Sequence, residues 1–265
     1  MLALTFGGVV LVTRPWSAPQ PPPQVTTTRT VTLVRPVTSL TVQSYDGAIR
    51  ITSGPAGRIQ VSDTLTYGPM AGGQPAVTES LSRGHLILAD PACSQAGDCF
   101  VNFAVTVPPG VAVTAMTDGG SLSVSGTGAA NLDSGGGPVT ATRIGGPLTV
   151  STEGGSLWVD GLSGALYADT FGGSLTADRV DAAAATVSTD GGDVRITFSA
   201  APQQVTVSTN GGLAALTVPG GPYALTADSN GGPESVGIAT NPAARPSITV
   251  SSGGGPVQVT PVAPR

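Results

Sequence analysis

The sequence predicts an all-β protein dominated by a parallel β-solenoid with 17–23 residues per regular coil and a less regular amino-terminal β region. Three observations carry that prediction. A Gly-Gly pair recurs at Gly119, Gly136, Gly154, Gly172, Gly191, Gly211, Gly231 and Gly254, in steps of 17, 18, 18, 19, 20, 20 and 23 residues. A Ser or Thr stands two residues before each pair, from Thr117 and Ser134 through to Ser252. Apolar residues sit four and two positions before that hydroxyl, and five and seven after it, as with Val205/Val207 and Ala214/Leu216 around Thr209. A period near twenty, with one strand-turn-strand unit per repeat, is the mark of a solenoid.

Alternation with period two makes each flank of the turn a short strand with one buried face. The Gly pair lets the backbone adopt positive φ and reverse sharply. No single coil buries its own apolar side chains, so the coils must fold as a stack. One coil departs from the columns, because Glu234 falls where an aliphatic residue is expected after Ser229. An unpaired buried carboxylate is costly, so the register is expected to slip by two and turn Val236 and Ile238 inward. Asp190, Asn210 and Asn230 occupy the variable turn position and are expected to ladder on successive coils.

Residues 1–13 are apolar up to Thr13 and too short to span a bilayer alone, which predicts part of a membrane anchor or a hydrophobic tail. Residues 14–30 are rich in Pro and Thr and predict an extended linker. Residues 31–110 predict the amino-terminal β region, with strands at Val31–Val34, Ser39–Val42, Arg58–Val61, His85–Leu88 and Phe100–Val107. A further copy of the repeat lies there, since Leu40, Val42, Ser44, Gly47, Ile49 and Ile51 fit the same columns. The regular coils occupy residues 111–260, and 261–265 form a tail in which Pro261 and Pro264 predict a stop to strand pairing.

Charge narrows the function. All eleven basic residues are Arg, and residues 111–260 carry four Arg against eleven Asp and Glu. An acidic face does not suit nucleic acid. The single His, the lack of Lys and the absorption of Ser and Thr into turn columns leave little for nucleophilic catalysis. The turns also lack the Gly-Gly-x-Gly-x-Asp of calcium rolls, so no metal or cofactor is expected. Cys93 and Cys99 fit a disulfide, half of a metal site or two free thiols; the absence of Cys-x-x-Cys spacing and a surface location favour the disulfide.

One surface constellation stands out. Trp158 falls at an outward column, while Asp160 and Asp178 share another outward column on adjacent coils. Arg195, on the next coil, is expected to reach Asp178. Such a face suits stacking of a sugar ring or contact with a partner, but the pattern is first that of a surface tryptophan beside an ordinary salt bridge, since an isolated exposed apolar residue needs no explanation.

The x-[ST]-x-Gly-Gly-x-[LV]-x-[VAI] turns, the Cys93–Cys99 insert and the lead-in Val105-Thr106-Val107-Pro108-Pro109-Gly110 resemble the bacterial putative-adhesin β-solenoid family. The resemblance covers about residues 37–260. It implies a domain of envelope proteins, often joined to a membrane segment, and supplies no catalytic residues. The expectation is a non-enzymatic extracytoplasmic module, held to the bacterial membrane by its amino terminus and facing an envelope, glycan or protein partner. Two alternatives stay open: a polysaccharide lyase-like β-helix enzyme, for which only Asp160 and Asp178 make a carboxylate pair, or the extracellular half of an envelope sensor.

Overall fold

The computed structural model describes residues 24–71, 74–91, 93 and 98–263, and paired strands run through these residues from end to end. The expected anchor (1–13), most of the expected linker, and Pro264 lie outside the described residues. Among the described residues, no helix is long and apolar enough to cross a membrane.

The amino-terminal part contains β1 (Val25–Leu33), β2 (Ser39–Ser44), β3 (Ile49–Ser53), β4 (Ile59–Tyr67), β5 (Thr78–Ser82), β6 (His85–Ala89) and β7 (Cys99–Val107). The regular coils follow as strand pairs. They are β8 (Ala112–Thr117) with β9 (Leu122–Ser125), β10 (Ala130–Ser134) with β11 (Val139–Ile144), and β12 (Leu148–Thr152) with β13 (Leu157–Ser163). Next come β14 (Leu166–Thr170) with β15 (Leu175–Asp181), β16 (Ala184–Thr189) with β17 (Val194–Phe198), and β18 (Gln204–Thr209) with β19 (Ala214–Val218). The last pairs are β20 (Ala224–Asp228) with β21 (Glu234–Val236), and β22 (Ser247–Ser252) with β23 (Val257–Pro261).

Each pair gives one strand to a front sheet of twelve strands and one to a back sheet of eleven. Within the coils every neighbour is parallel and residues match column for column, so Val207 aligns with Val187 on one side and Val250 on the other. The inward columns of both sheets form one apolar core, in which Val42, Leu132, Val207, Leu175 and Val259 are fully buried. The all-β, largely parallel solenoid expected from the sequence is thus the observed architecture.

The turn hydroxyls point inward and cap the turn. Thr152 Oγ1 donates to the Gly155 carbonyl at 2.7 Å, and Thr170, Thr209 and Ser134 repeat the bond at 2.7, 2.8 and 2.9 Å. A buried carbonyl would otherwise lack a partner, which explains the Ser/Thr column. The two glycines divide the labour. Of the first glycines, Gly191, Gly211, Gly231 and Gly254 take the positive φ that the sequence reading expects, while Gly119, Gly136, Gly154 and Gly172 do not. Gly155, second of its pair, is needed for proximity, because a Cβ there would lie 2.0 Å from the Gly137 carbonyl oxygen of the preceding coil.

The copy around Gly47 is a true coil: Leu40 and Val42 align with Val113 and Ala115, and Ile49 and Ile51 with Leu122 and Val124. Strand order departs from chain order at both ends. β6 and β7 stack outside β2 and β3, and antiparallel β4, β1 and β5 close that end. Residues 25–30, given to the linker by composition, belong to β1 and pair with β4 along its length. Arg29 of β1 ties the two sheets together there, contacting Asp63 at 2.9 Å and Glu79 at 3.2 Å.

At the other end β22 and β23 insert between the β18/β19 coil and the β20/β21 coil. Three expectations fail for that reason. Asn210 is followed in the stack by Gly253, so Asn230 does not extend the Asp190–Asn210 run. Glu234 keeps its register opposite Val257, with no slip, since a terminal coil leaves it exposed and its Oε1 accepts from the Ser229 amide at 2.8 Å. Val236 is 43% exposed on the same open edge, opposite Val259, and Ile238 is only half-buried against the core. Pro261 does not end the stack either: β23 is interior, and β20 and β21 are the edges.

Candidate functional site

The front sheet turns its outer face to solvent along β11, β13 and β15. Trp158 lies at the middle of this run, opposite Thr140 on one side and Thr176 on the other. It is 46% exposed, as its column predicts. Small threonine neighbours leave the indole accessible on the outer face of the sheet, which suits a flat apolar partner.

Asp160 and Asp178 stand directly opposite each other on β13 and β15. The expected Arg195–Asp178 contact is corrected by the structure. Arg195 aligns with Thr176, and the register shifts between Ala177 and Val180, which takes Asp178 out of the line of β17. Arg195 instead bonds Asp193 on its own coil, at 3.0 Å. The Leu213 amide and Arg195 both favour the ionised Asp193 carboxyl and hold its pKa below the ordinary value. The arginine that meets the Trp158 face is Arg179, whose Nη2 pairs with Asp160 Oδ2. Asp160 Oδ1 is buried with no hydrogen-bond partner among the described residues.

Arg179 reaches Asp160 from an irregular backbone. Its φ is 52°, and Arg143, two coils earlier in the same column, has φ of 51°. Gly161 lies between them in register, with φ of 74°, and Gly126 precedes Arg143 with φ of 73°. The column therefore alternates Gly, Arg, Gly, Arg in left-handed geometry. Such geometry suits glycine and costs another residue roughly 1–2 kcal/mol. Arg143 Nη2 donates to Ser125 Oγ at 2.7 Å. Above Gly161 a groove of about 520 Å³ opens, lined by Arg143, Gly145, Ser163, Arg179, Asp181 and Ser199. The sequence reading missed both arginines, although each stands nine residues after its turn hydroxyl, where alternate coils carry Gly126 and Gly161.

The other two exposed aromatics among the described residues lie close by in sequence. Tyr167 is 49% exposed on the back sheet, in β14, and Phe171 is 57% exposed in the turn from β14 to β15. Trp158, Tyr167 and Phe171 thus ring two consecutive coils.

Away from this face, Cys93 and Cys99 form a disulfide with a Cα–Cα distance of 5.2 Å. His85 Nε2 contacts Thr41 Oγ1 at 2.9 Å on the back sheet. Beside the disulfide, Asp90 takes the place of a turn hydroxyl at the end of the Ser/Thr column, next to Ser44. Its Oδ2 accepts from Ser44 Oγ at 3.1 Å and its Oδ1 from the Tyr45 amide at 3.0 Å. Burial outweighs these bonds and raises its pKa to about 6. A raised carboxyl pKa means that the fold favours the neutral form, a gain present below the unfolded value near 4 and lost as pH rises through 6. Asp90→Asn stays neutral and should gain stability relative to wild type between pH 4 and 7, by on the order of 2 kcal/mol. Urea unfolding at pH 4 and pH 7.5 measures it; a difference that does not change with pH would refute the assignment.

No protein-family model matches the chain, and no curated protein matches it. Three solved bacterial structures align with most of it. A putative adhesin from Bacteroides fragilis is 13% identical, with a TM-score of 0.47, over 89% of this chain and 97% of that one. A putative adhesin from Parabacteroides merdae is 12% identical, with a TM-score of 0.38, over 90% and 96%. A putative cell adhesion protein from Clostridium sporogenes is 10% identical, with a TM-score of 0.24, over 89% and 100%. At these scores nothing of their function transfers to this chain.

Proposed function

We propose that the chain is a non-enzymatic, adhesin-like surface module that holds a glycan on the outer face of its front sheet. The observation that carries this reading is Trp158, half-exposed on a rigid sheet and two residues from the Asp160–Arg179 pair. A pyranose offers an apolar face for an indole and hydroxyls for a carboxylate and a guanidinium, so one ring would engage all three. The Cys93–Cys99 disulfide supports an oxidising location outside the cytoplasmic membrane. Attachment to that membrane through residues 1–13 belongs to the same reading.

The test is glycan-array and cell-wall binding by the full chain. Trp158→Ala should weaken binding by about tenfold or more, with the thermal midpoint unchanged because the side chain is outside the core. Undiminished binding would move the site elsewhere. Product release from a polysaccharide, abolished by Asp160→Asn or Asp178→Asn, would replace the module with a lyase-like enzyme.

A further inference from the structure

We infer that the Arg143–Gly161–Arg179 groove is an anion subsite of the glycan face, and that the glycan it takes is acidic, carrying carboxylate or sulfate groups on an extended chain. The inference rests on the glycan reading above and narrows its ligand class.

The first argument is the backbone. Gly126 and Gly161 supply the left-handed conformation without strain, yet Arg143 and Arg179 hold the same conformation at the alternate coils. A Cβ at Gly161 would meet no atom closer than 3.7 Å, so the floor of the groove is open over the glycine. Strained backbone at a concave surface points to a role for the side chain it carries. Here that side chain is, both times, the one suited to forked recognition of an oxyanion.

The second argument is spacing. Adjacent coils are roughly 4.8 Å apart, so the two arginines repeat at roughly 9–10 Å. Both lean back by one coil, Arg143 to Ser125 and Arg179 to Asp160, which preserves that interval between the guanidiniums. A pyranose in an extended chain advances by about one strand width, so charges on alternate sugars would meet successive arginines. Trp158 lies three residues before Gly161 on the same strand, roughly 10 Å to the side of the arginine row, where a side-branch sugar of the same glycan would stack.

The third argument is what shares the groove. Asp181, Ser163 and Ser199 line it together with the arginines. Carboxylate and hydroxyl acceptors suit sugar hydroxyls, and they distinguish this groove from a site for a bare inorganic anion. The repeat region is acidic overall, but at physiological ionic strength charge beyond about 8 Å is screened. Recognition is therefore set locally, by Arg143 on the neutral Ser125 hydroxyl and by Arg179 paired with Asp160, with Asp181 beside them, and raised salt should weaken it.

The experiment compares the full chain with Arg143→Gly, Arg179→Gly and the double variant, each restoring the residue that alternate coils use. The probes are oligogalacturonate against its methyl ester for carboxylate, and dextran sulfate against dextran for sulfate. Relief of strain should leave the thermal midpoint of Arg143→Gly unchanged or higher; Arg179→Gly also strips Asp160 of its ion-pair partner, so Arg179→Gly/Asp160→Asn is its stability control. Binding to at least one acidic probe should fall by about tenfold or more. The acidic probe that binds identifies the group recognised. Equal binding of acidic and neutral probes would overturn the inference, as would double-variant binding equal to wild type. If Trp158→Ala abolishes binding and the glycine variants do not, the glycan reading survives and the anion subsite falls. Absence of binding to every probe and every array glycan would remove both.

Discussion

Gly155→Ala is expected to destabilise the protein by about 3 kcal/mol, although it adds a single methyl group. That methyl would sit 2.0 Å from the Gly137 carbonyl oxygen and 2.7 Å from its carbon. Both atoms belong to the backbone of the preceding coil, so no side-chain rotation relieves the clash. The coils would have to part, and the ladder bonds beside the turn, such as the Val139 amide to the Ser156 carbonyl at 2.9 Å, would be strained with them. The adjacent glycine is the control. A Cβ at Gly154 would meet nothing within 4 Å, and its φ is not positive, so Gly154→Ala should stay within about 0.5 kcal/mol of wild type. Urea unfolding of both variants decides it. Equal effects would mean that coil-to-coil approach is not what the second glycine secures.

Val207→Asp should prevent folding or cost at least about 4 kcal/mol. Val207 is fully buried between Val187 and Val250 on the third strand from the edge of the back sheet. A carboxylate there has no partner, and it interrupts a stack whose stability depends on each coil's contact with its neighbours. Thr206→Asp, one residue away on the outer face, should fold normally and change stability by about 0.5 kcal/mol or less. Circular dichroism and denaturant titration of the pair test the inside/outside assignment of the whole column. Similar behaviour of the two would overturn it.

These residues also mark what the sequence made legible. The inward columns, such as Leu132, Val150 and Val207, were readable because burial against both neighbouring coils imposes the same chemistry at each repeat. The upstream coil at Leu40–Ile51 was readable for the same reason, despite insertions before and after it. Strand order at the ends was not readable, because insertion of β22 and β23 leaves every local pattern intact and changes only which coils touch. Glu234 was the one local sign, and its meaning was an open edge. On the candidate face, Trp158 and the Asp160/Asp178 register followed from period two, but the arginine did not. Counting by two assumes an unbroken strand, and the bulge carrying Arg179 breaks it. Position nine, where Gly and Arg alternate, held the missing signal.

The glycan-face claim is tested most directly by the fluorescence of Trp158 itself. The chain contains two tryptophans, so Trp16→Phe leaves Trp158 as the sole reporter. Titration with a glycan that the full chain retains on the array should shift the Trp158 emission saturably, with the same midpoint as an independent binding measurement. Emission that stays constant while the glycan binds would place the ligand away from this face and contradict the account.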